Sequence, residues 1–400
     1  MRRAVLACTL LVLAGCGGAI APGPTPTEPA ATGVAVDGDL PVEPTPVFLR
    51  VLNLTGERAE APAVTVESAP RASAPDLPQF PVALGITPHN ESDPTGPHVR
   101  THAATAIDGE SVTVYEWALD APELTETTLA HEFVHVVQFR HGWDEAALRR
   151  QARVGGGLSY DGATTYALLR EGAATYAQTA YERRFLPDRR SSMAHQEAAY
   201  ENASAYARLL LARYHFGAEY VAERVDSPAG LETLHRDPPT STEQVLHDSQ
   251  DPVANLTLKT EETGSWVERD RDRQGELFLR IALRTELNRS SAVGAAHGWG
   301  NDRRVTFVRE DEVATAWVLR WDDAANASEF AVAFTEYLDA KATAEDGLWR
   351  GDDVNATYRV ERVGDETVVV YLGDESFVRS ATATASGDGD VTIEAGDGAA

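Results

Sequence analysis

The apolar positions of this chain change period along its length. Residues 17 to about 46 show no period; Pro, Thr, Ala and Gly dominate, and Pro22-Gly23-Pro24-Thr25-Pro26-Thr27 reads as a semi-extended tether. Residues 47–108 mix short apolar runs with prolines and yield no clear element. Residues 111–117 alternate at period 2, with Val112 and Val114 opposite Thr113 and Tyr115, as a strand does. From 121 to about 250 the period becomes helical. Leu129, Phe133 and Val136 form one stripe behind Pro122, with Thr125 or Thr127 as cap. A second helix is predicted over 164–181, and a long one over 193–216, closed by Gly217. Helix and strand then mix: strands at 305–308 and 314–321, a helix at 328–342, two strands across 359–372 around Gly364-Asp365, and a loop at 295–300. Residues 381–400, rich in Gly, Asp, Ala and Thr, are predicted to be disordered. The pattern predicts an α+β protein, with a mostly helical unit at 47–258 and a mixed α/β region at 259–380.

One helix carries chemistry. Thr128-Leu129-Ala130-His131-Glu132-Phe133-Val134-His135-Val136-Val137 contains His-Glu-x-x-His. Positions i and i+4 share a helix face, so His131 and His135 can address one metal ion. Glu132 is a carboxylate placed to take a proton from a water that the metal activates. The flanks are uncharged, so no cationic side chain opposes a divalent ion. The plain alternative is a buried helix with two hydrogen-bonded core histidines. Catalytic zinc takes three protein ligands and keeps a fourth position for water. Two residues compete for the third place. His141 has the spacing of the extended zincin motif, but Gln138 stands where that motif has its glycine, and an unbroken helix carries His141 away from the metal. Glu171, in the second helix, is followed by Gly172, Ala173 and Ala174, a small surface against which another helix can close. Taken by its residue type alone, Glu171 reads equally as a solvated glutamate.

These residues resemble the gluzincin-type metallopeptidases. There a His-Glu-x-x-His helix is followed by a second helix with its glutamate ligand in Glu-Gly-x-Ala, here Glu171-Gly172-Ala173-Ala174. Residues 238–247, Pro-Pro-Thr-Ser-Thr-Glu-Gln-Val-Leu-His, resemble a Pro-Pro-x-Ser-Thr-Glu-Gln-x-Leu-His-Pro segment of bacterial and archaeal members, with Asp248 in place of the last proline. The layout from 112 to 337 is similar to that of haloarchaeal surface lipoproteins. The resemblance implies a gluzincin-like catalytic core, zinc held by His131, His135 and Glu171, Glu132 as general base, and a peptide or protein substrate. It also implies His247 as a donor to the anionic intermediate. By its local sequence, His247 equally ends a short helix opened by Thr240 or Ser241 and bonds backbone carbonyls. Tyr176 is another candidate donor, or a core tyrosine. Thermolysin-like members place an aspartate four residues after the glutamate ligand to steady a histidine. Thr175 stands there, so that support must be built differently. In such peptidases the strand before the motif helix lines the cleft, with an edge open to an extended substrate.

The N-terminus reads as an export signal over residues 1–15: Arg2 and Arg3, a short apolar run, then Leu13-Ala14-Gly15-Cys16, which resembles a lipobox. Cys16 would carry the lipid that ties the protein to the membrane outside the cell, with 16–46 as tether; the alternative is cleavage without a lipid. Cys8 leaves with the signal, so no internal disulfide is available. Net charge is −27, and only Lys259 and Lys341 join the arginines. So acidic a surface suits an exported protein in concentrated brine and excludes nucleic acid as a partner. Seven Asn-x-Ser/Thr sequons, at Asn53, Asn90, Asn202, Asn255, Asn288, Asn326 and Asn355, fit an exported chain. The rival reading is a non-catalytic surface lipoprotein that binds a partner or envelope component.

Overall fold

A computed structural model describes residues 33–69, 79–87, 103–106, 108–155, 157–351, 355–386 and 389–397. The expected signal segment, the lipobox with Cys16, the start of the tether and Asn90 lie outside the described residues. The fold is α+β.

The N-terminal part contributes a four-stranded sheet. Strands β1 (Ala35–Asp37), β2 (Ala63–Glu67), β3 (Ala104–Thr105) and β4 (Ser111–Tyr115) lie in the order β1-β2-β4-β3. The β1–β2 and β2–β4 pairs are parallel and β3–β4 is antiparallel. Helix α1 (Pro44–Thr55) bridges β1 and β2, and α2 (Gln79–Ala83) follows β2. The tether therefore ends earlier than expected, because residues 35–37 already pair with β2 and α1 starts at Pro44.

Seven helices come next: α3 (Pro122–Arg140), α4 (Trp143–Gly155), α5 (Tyr160–Phe185), α6 (Ser192–Glu201), α7 (Ala205–Arg224), α8 (Leu231–Arg236) and α9 (Thr242–His247). Their ends follow local chemistry. Pro122 opens α3, and Gly142, at φ 65°, stands just beyond its His141 cap. Ser159, Ser191, Ser204 and Ser241 each accept a backbone N–H at the start of α5, α6, α7 and α9. The single long helix expected over 193–216 is two. Asn202 ends α6 and Ser204 caps α7, whereas Gly217 lies inside α7. One core joins α1, β4 and these helices through Phe48, Val114, Phe133, Leu169 and Val221.

The C-terminal part comprises β5 (Thr257–Glu262), β6 (Val267–Asp272), α10 (Glu276–Leu283), α11 (Arg289–Ala296), β7 (Trp299–Arg309), β8 (Glu312–Trp321), α12 (Ala324–Lys341), β9 (Ala342–Glu345), β10 (Leu348–Gly351), β11 (Thr357–Arg362), β12 (Thr367–Gly373), α13 (Glu375–Ser380), β13 (Thr382–Ser386) and β14 (Asp390–Ala395). Seven strands pair antiparallel in the order β6-β7-β8-β12-β11-β10-β9. Alternate residues of β8 and β12 face opposite cores. Trp317, Leu319, Val368 and Val370 meet α10 to α12, while Val318, Val369 and Tyr371 meet α13, β5 and β14. The tail expected to be disordered holds β13 and β14. Strand β14 pairs parallel with β5 and buries Val391, Ile393 and Ala395. The polar composition misled because only every second residue of an edge sheet needs to be apolar.

The boundary expected at 258 is laced through. Helix α2 belongs by sequence to the first part but packs in the second. Phe80 stacks on Phe278 at 5.6 Å and meets Trp317 edge-on at 5.4 Å. Tyr337 and Tyr358 donate their hydroxyls to Leu84 O (2.9 Å) and Ala83 O (2.7 Å). A buried polar joint adds to this. Asp161, at the start of α5, accepts Thr242 N (3.0 Å) and Thr242 Oγ1 (2.7 Å) and pairs with Arg273 at 3.1 Å. Gly275, at φ 84°, passes so close that a Cβ there would stand 2.0 Å from Asp161 Oδ1. Residues 239–244 supply this joint, with Gln151 Nε2 donating to Pro239 O and Gln244 Oε1 accepting Thr240 N.

Glu243 sits at the joint, 8% exposed, with no hydrogen-bond partner among the described residues. Burial, then the charges of Glu276, Asp322, Asp161 and Asp251, push its carboxyl up to about 8. The folded protein thus keeps a proton that the unfolded chain releases above about 4.5, so this group costs more stability as pH rises from there to about 8. Glu243→Gln is expected to raise the melting temperature at pH 8, by roughly 2–4 °C per kcal/mol relieved, and to leave it nearly unchanged at pH 4. Thermal melts of both proteins across that range check it.

Candidate metal centre

Helix α3 sets two imidazoles one turn apart on the face toward α5. His131 Nε2 and His135 Nε2 are 3.2 Å apart, and their rings meet nearly at right angles. Glu171 Oε2, from α5, lies 3.4 Å from the first and 3.2 Å from the second. The three side chains are 12%, 4% and 12% exposed. Among the described residues this is the one group of three or more His, Cys, Asp or Glu side chains with ligand atoms close enough to share a metal ion.

The spacing has a physical meaning. Tetrahedral ligands on bonds of about 2.0–2.1 Å stand about 3.3 Å from one another. The second ring nitrogens fix the tautomers. His131 Nδ1 meets Gln178 Oε1 at 3.0 Å, and Gln178 Nε2 donates to Thr127 Oγ1. His135 Nδ1 meets Gln138 Oε1 at 2.6 Å, and Gln138 Nε2 donates to the Arg170 carbonyl. Each amide oxygen faces its histidine, so Nδ1 carries the hydrogen and Nε2 turns a lone pair inward. Two lone pairs and a carboxylate oxygen then converge, an arrangement that only a cation or a proton relieves. The group can hold a metal ion.

With a proton in place of a cation, an Nε2–H faces the carboxylate, and the contacts shift both partners toward their charged forms. Burial opposes charge on Glu171, but the His135 charge and hydrogen bonds from both histidines hold its carboxyl well below the usual range. Burial likewise opposes a proton on His131, but the bond to Glu171 and the charges of Glu132 and Glu171 raise its imidazole above the ordinary value.

The support that Thr175 cannot give is thus neutral and comes from Gln138 and Gln178, three positions after His135 and seven after Glu171. The small residues beside Glu171 act differently from the expectation. Gly172 faces α7, where its Cβ would stand 2.2 Å from the Gly217 carbonyl carbon, and a Cβ on Gly217 would stand 2.1 Å from Leu168 O. The close approach is therefore α5 on α7, while α3 meets α5 through side chains. Helix α7 thereby brings in Tyr214, three positions before Gly217, with its ring 6.1 Å from that of His131. Tyr214 is 8% exposed, its hydroxyl has no hydrogen-bond partner among the described residues, and it feels the charges of Glu171 and Glu132. Nothing in its local sequence signals this position.

Glu132 is 7% exposed and likewise without a hydrogen-bond partner among the described residues. Its charge acts on His131, Tyr214 and Tyr115 of β4. The structure does not bring His247 to this group. His247 Nε2 lies 2.9 Å from both Glu276 Oε1 and Arg280 Nη2, at the end of α9. Tyr176 donates to Val225 O, and His141 reaches Arg58 O and Glu57 at the far end of α3. The edge of β4 is not free at 113–115, because β3 and Ala103 O pair there.

Residues 262–381 match a family described as a domain of unknown function (DUF8575). The match covers the seven-stranded sheet and stops short of every residue of the metal centre. No curated protein and no solved structure matches the chain.

A metal competes with a proton for His131, whose imidazole is raised above its ordinary value. Its apparent affinity, read by chelator competition, is expected to begin falling on acidification at a pH above 6.5, the ordinary histidine value. Gln178→Ala is expected to weaken binding about 10–100-fold at pH 8. Unchanged affinity in that variant would contradict the assigned tautomer.

Proposed function

We propose that the chain is an exported, zinc-dependent peptidase of gluzincin type, anchored to the membrane through Cys16. The observation that carries the reading is the triangle of acceptor atoms, 3.2–3.4 Å on a side, formed by His131, His135 and Glu171. A closed structural site would need a fourth protein ligand, and no fourth His, Cys, Asp or Glu joins the group among the described residues. The lipobox supports the anchor, and among the described residues no helix is long and apolar enough to cross a membrane.

His131, His135 and Glu171 would hold the zinc, which when bound would supply a Lewis acid for the scissile carbonyl and for water. The chain supplies the rest. Glu132, free of other bonds, accepts the proton of the attacking water and passes it to the leaving amine. Tyr214, whose phenol stays protonated because burial and the neighbouring carboxylates raise it, donates a hydrogen bond to the developing oxyanion. Gln138 and Gln178 keep both imidazoles aimed.

Glu132→Gln is expected to bind zinc with the stoichiometry of the parent protein and to hydrolyse an unstructured protein substrate about 10²–10⁴-fold more slowly. Tyr214→Phe is expected to lose about 10²–10³-fold in kcat at unchanged zinc affinity. Full activity of the Glu132 variant, or activity that survives complete removal of metal by chelator, would sink the reading.

A further inference from the structure

A cavity of about 330 Å³ opens near the start of α3. Leu124, Arg189, Arg190, Ser192 and His195 line it. Leu124 shares the α3 stripe of the metal ligands, since 124, 128, 131 and 135 recur at helical spacing. Seven positions separate it from His131, about 10 Å along the helix. The opposite wall is the turn from α5 into α6.

The charge of this cavity runs against the rest of the molecule. In a chain of net charge −27, it holds two guanidinium groups and an imidazole and no carboxylate among its lining residues. The nearest acid is already committed elsewhere. Glu182, 1% exposed, accepts Thr127 Oγ1, Ser192 Oγ (2.7 Å) and Ser192 N (2.7 Å). It stands 3.5 Å from Arg189 Nε, which is buried without a hydrogen-bond partner. Arg190 Nη2 donates to Ala194 O at 2.9 Å, and the side chain meets no carboxylate among the described residues. Arg190 thus keeps donors to spare at the cavity, beside the Arg189 guanidinium that Glu182 holds in place, and the group that satisfies such forks is a carboxylate. The walls are fixed in advance. Ser192, Glu182, Thr127, Gln178 and His131 form one continuous hydrogen-bond chain from the cavity to the metal centre.

We propose that this cavity binds a carboxylate. Resting on the peptidase reading, the geometry further makes it the subsite for an acidic side chain, or a terminal carboxylate, of the substrate. An extended peptide advances about 3.3 Å per residue, so a carboxylate beside Leu124, a cavity wall about 10 Å along α3 from His131, corresponds to a residue some three positions from a bond cleaved at the metal centre. Leu124 covers the aliphatic part of such a side chain.

The first test needs no activity. Succinate is titrated into the full-length protein at constant ionic strength, with chloride as the balancing salt and binding read by calorimetry. Wild type is expected to bind it, and Arg189→Gln and Arg190→Gln each to weaken it about tenfold or more. Arg190 is exposed, so its variant should keep the parent melting temperature. No succinate binding by wild type, or equal binding by the Arg190 variant, overturns the carboxylate site. The second test compares two peptides that carry Asp or Asn three positions from the cleaved bond. Wild type is expected to show a KM about tenfold lower for Asp, and the Arg190 variant to lose that preference with kcat retained. Equal KM values alongside intact succinate binding overturn the substrate assignment and leave a site for a free small carboxylate. Hydrolysis of neither peptide, with succinate still bound, counts against the peptidase reading and for the carboxylate site.

Discussion

A single buried carboxylate sets the terms for the helical half of this protein. Glu171 places an oxygen between two imidazole lone pairs, at a depth where an isolated charge is costly. Three acceptors held a few ångströms apart repel one another unless something positive sits among them. Such an arrangement persists only because the surrounding structure over-determines it. Gly172 against Gly217 fixes α5 on α7 by backbone contact, Asp161 pins the start of α5 to residues 239–244, and the two glutamines lock the rings. Each restraint lies on a different element, so no single helix makes the site. The cost of convergence is spread over the whole unit.

The C-terminal half is tied to this arrangement without taking part in it. The family match stops at 262–381, and the metal centre lies wholly outside it. Two connections make the halves one body. Asp161, Thr242 and Arg273 form a polar joint with no exposure to speak of. Helix α2 and the turn after it plant Phe80, Leu84 and Ile86 among the aromatic residues under the large sheet. The residues 238–247, which read in the sequence as a family signature, act in the structure as this joint. His247 follows from the same fact: it completes a cluster with Glu276 and Arg280 at the end of α9.

What could be read in advance follows from range. His131, Glu132 and His135 declare themselves because a helix of known period brings them together, and the strands at 314–321 and 359–372 show because both faces of the sheet are apolar. Glu171 needed its neighbours to mark it, since nothing local separates a ligand glutamate from a solvated one. Gln138, Gln178 and Tyr214 gave no signal. Their roles depend on how α3, α5 and α7 lie against one another, and that packing is set by contacts dozens of residues apart. The break at Asn202 is hidden in the sequence because apolar periodicity runs on through a one-turn interruption. The order of β13 and β14 is hidden too, because it comes from pairing with β5, more than a hundred positions earlier.

The lacing of α2 also has a history in time. Leu84 accepts a hydrogen bond from Tyr337, 253 positions further on. At ordinary rates of synthesis of about 5–20 residues per second, that separation means some ten to fifty seconds between the two leaving the ribosome. Throughout that interval Phe80, Leu84 and Ile86 have no sheet to receive them. The nascent chain therefore carries an unburied greasy segment until its last third is made. The docking of residues 80–86 therefore waits on the sheet that receives them.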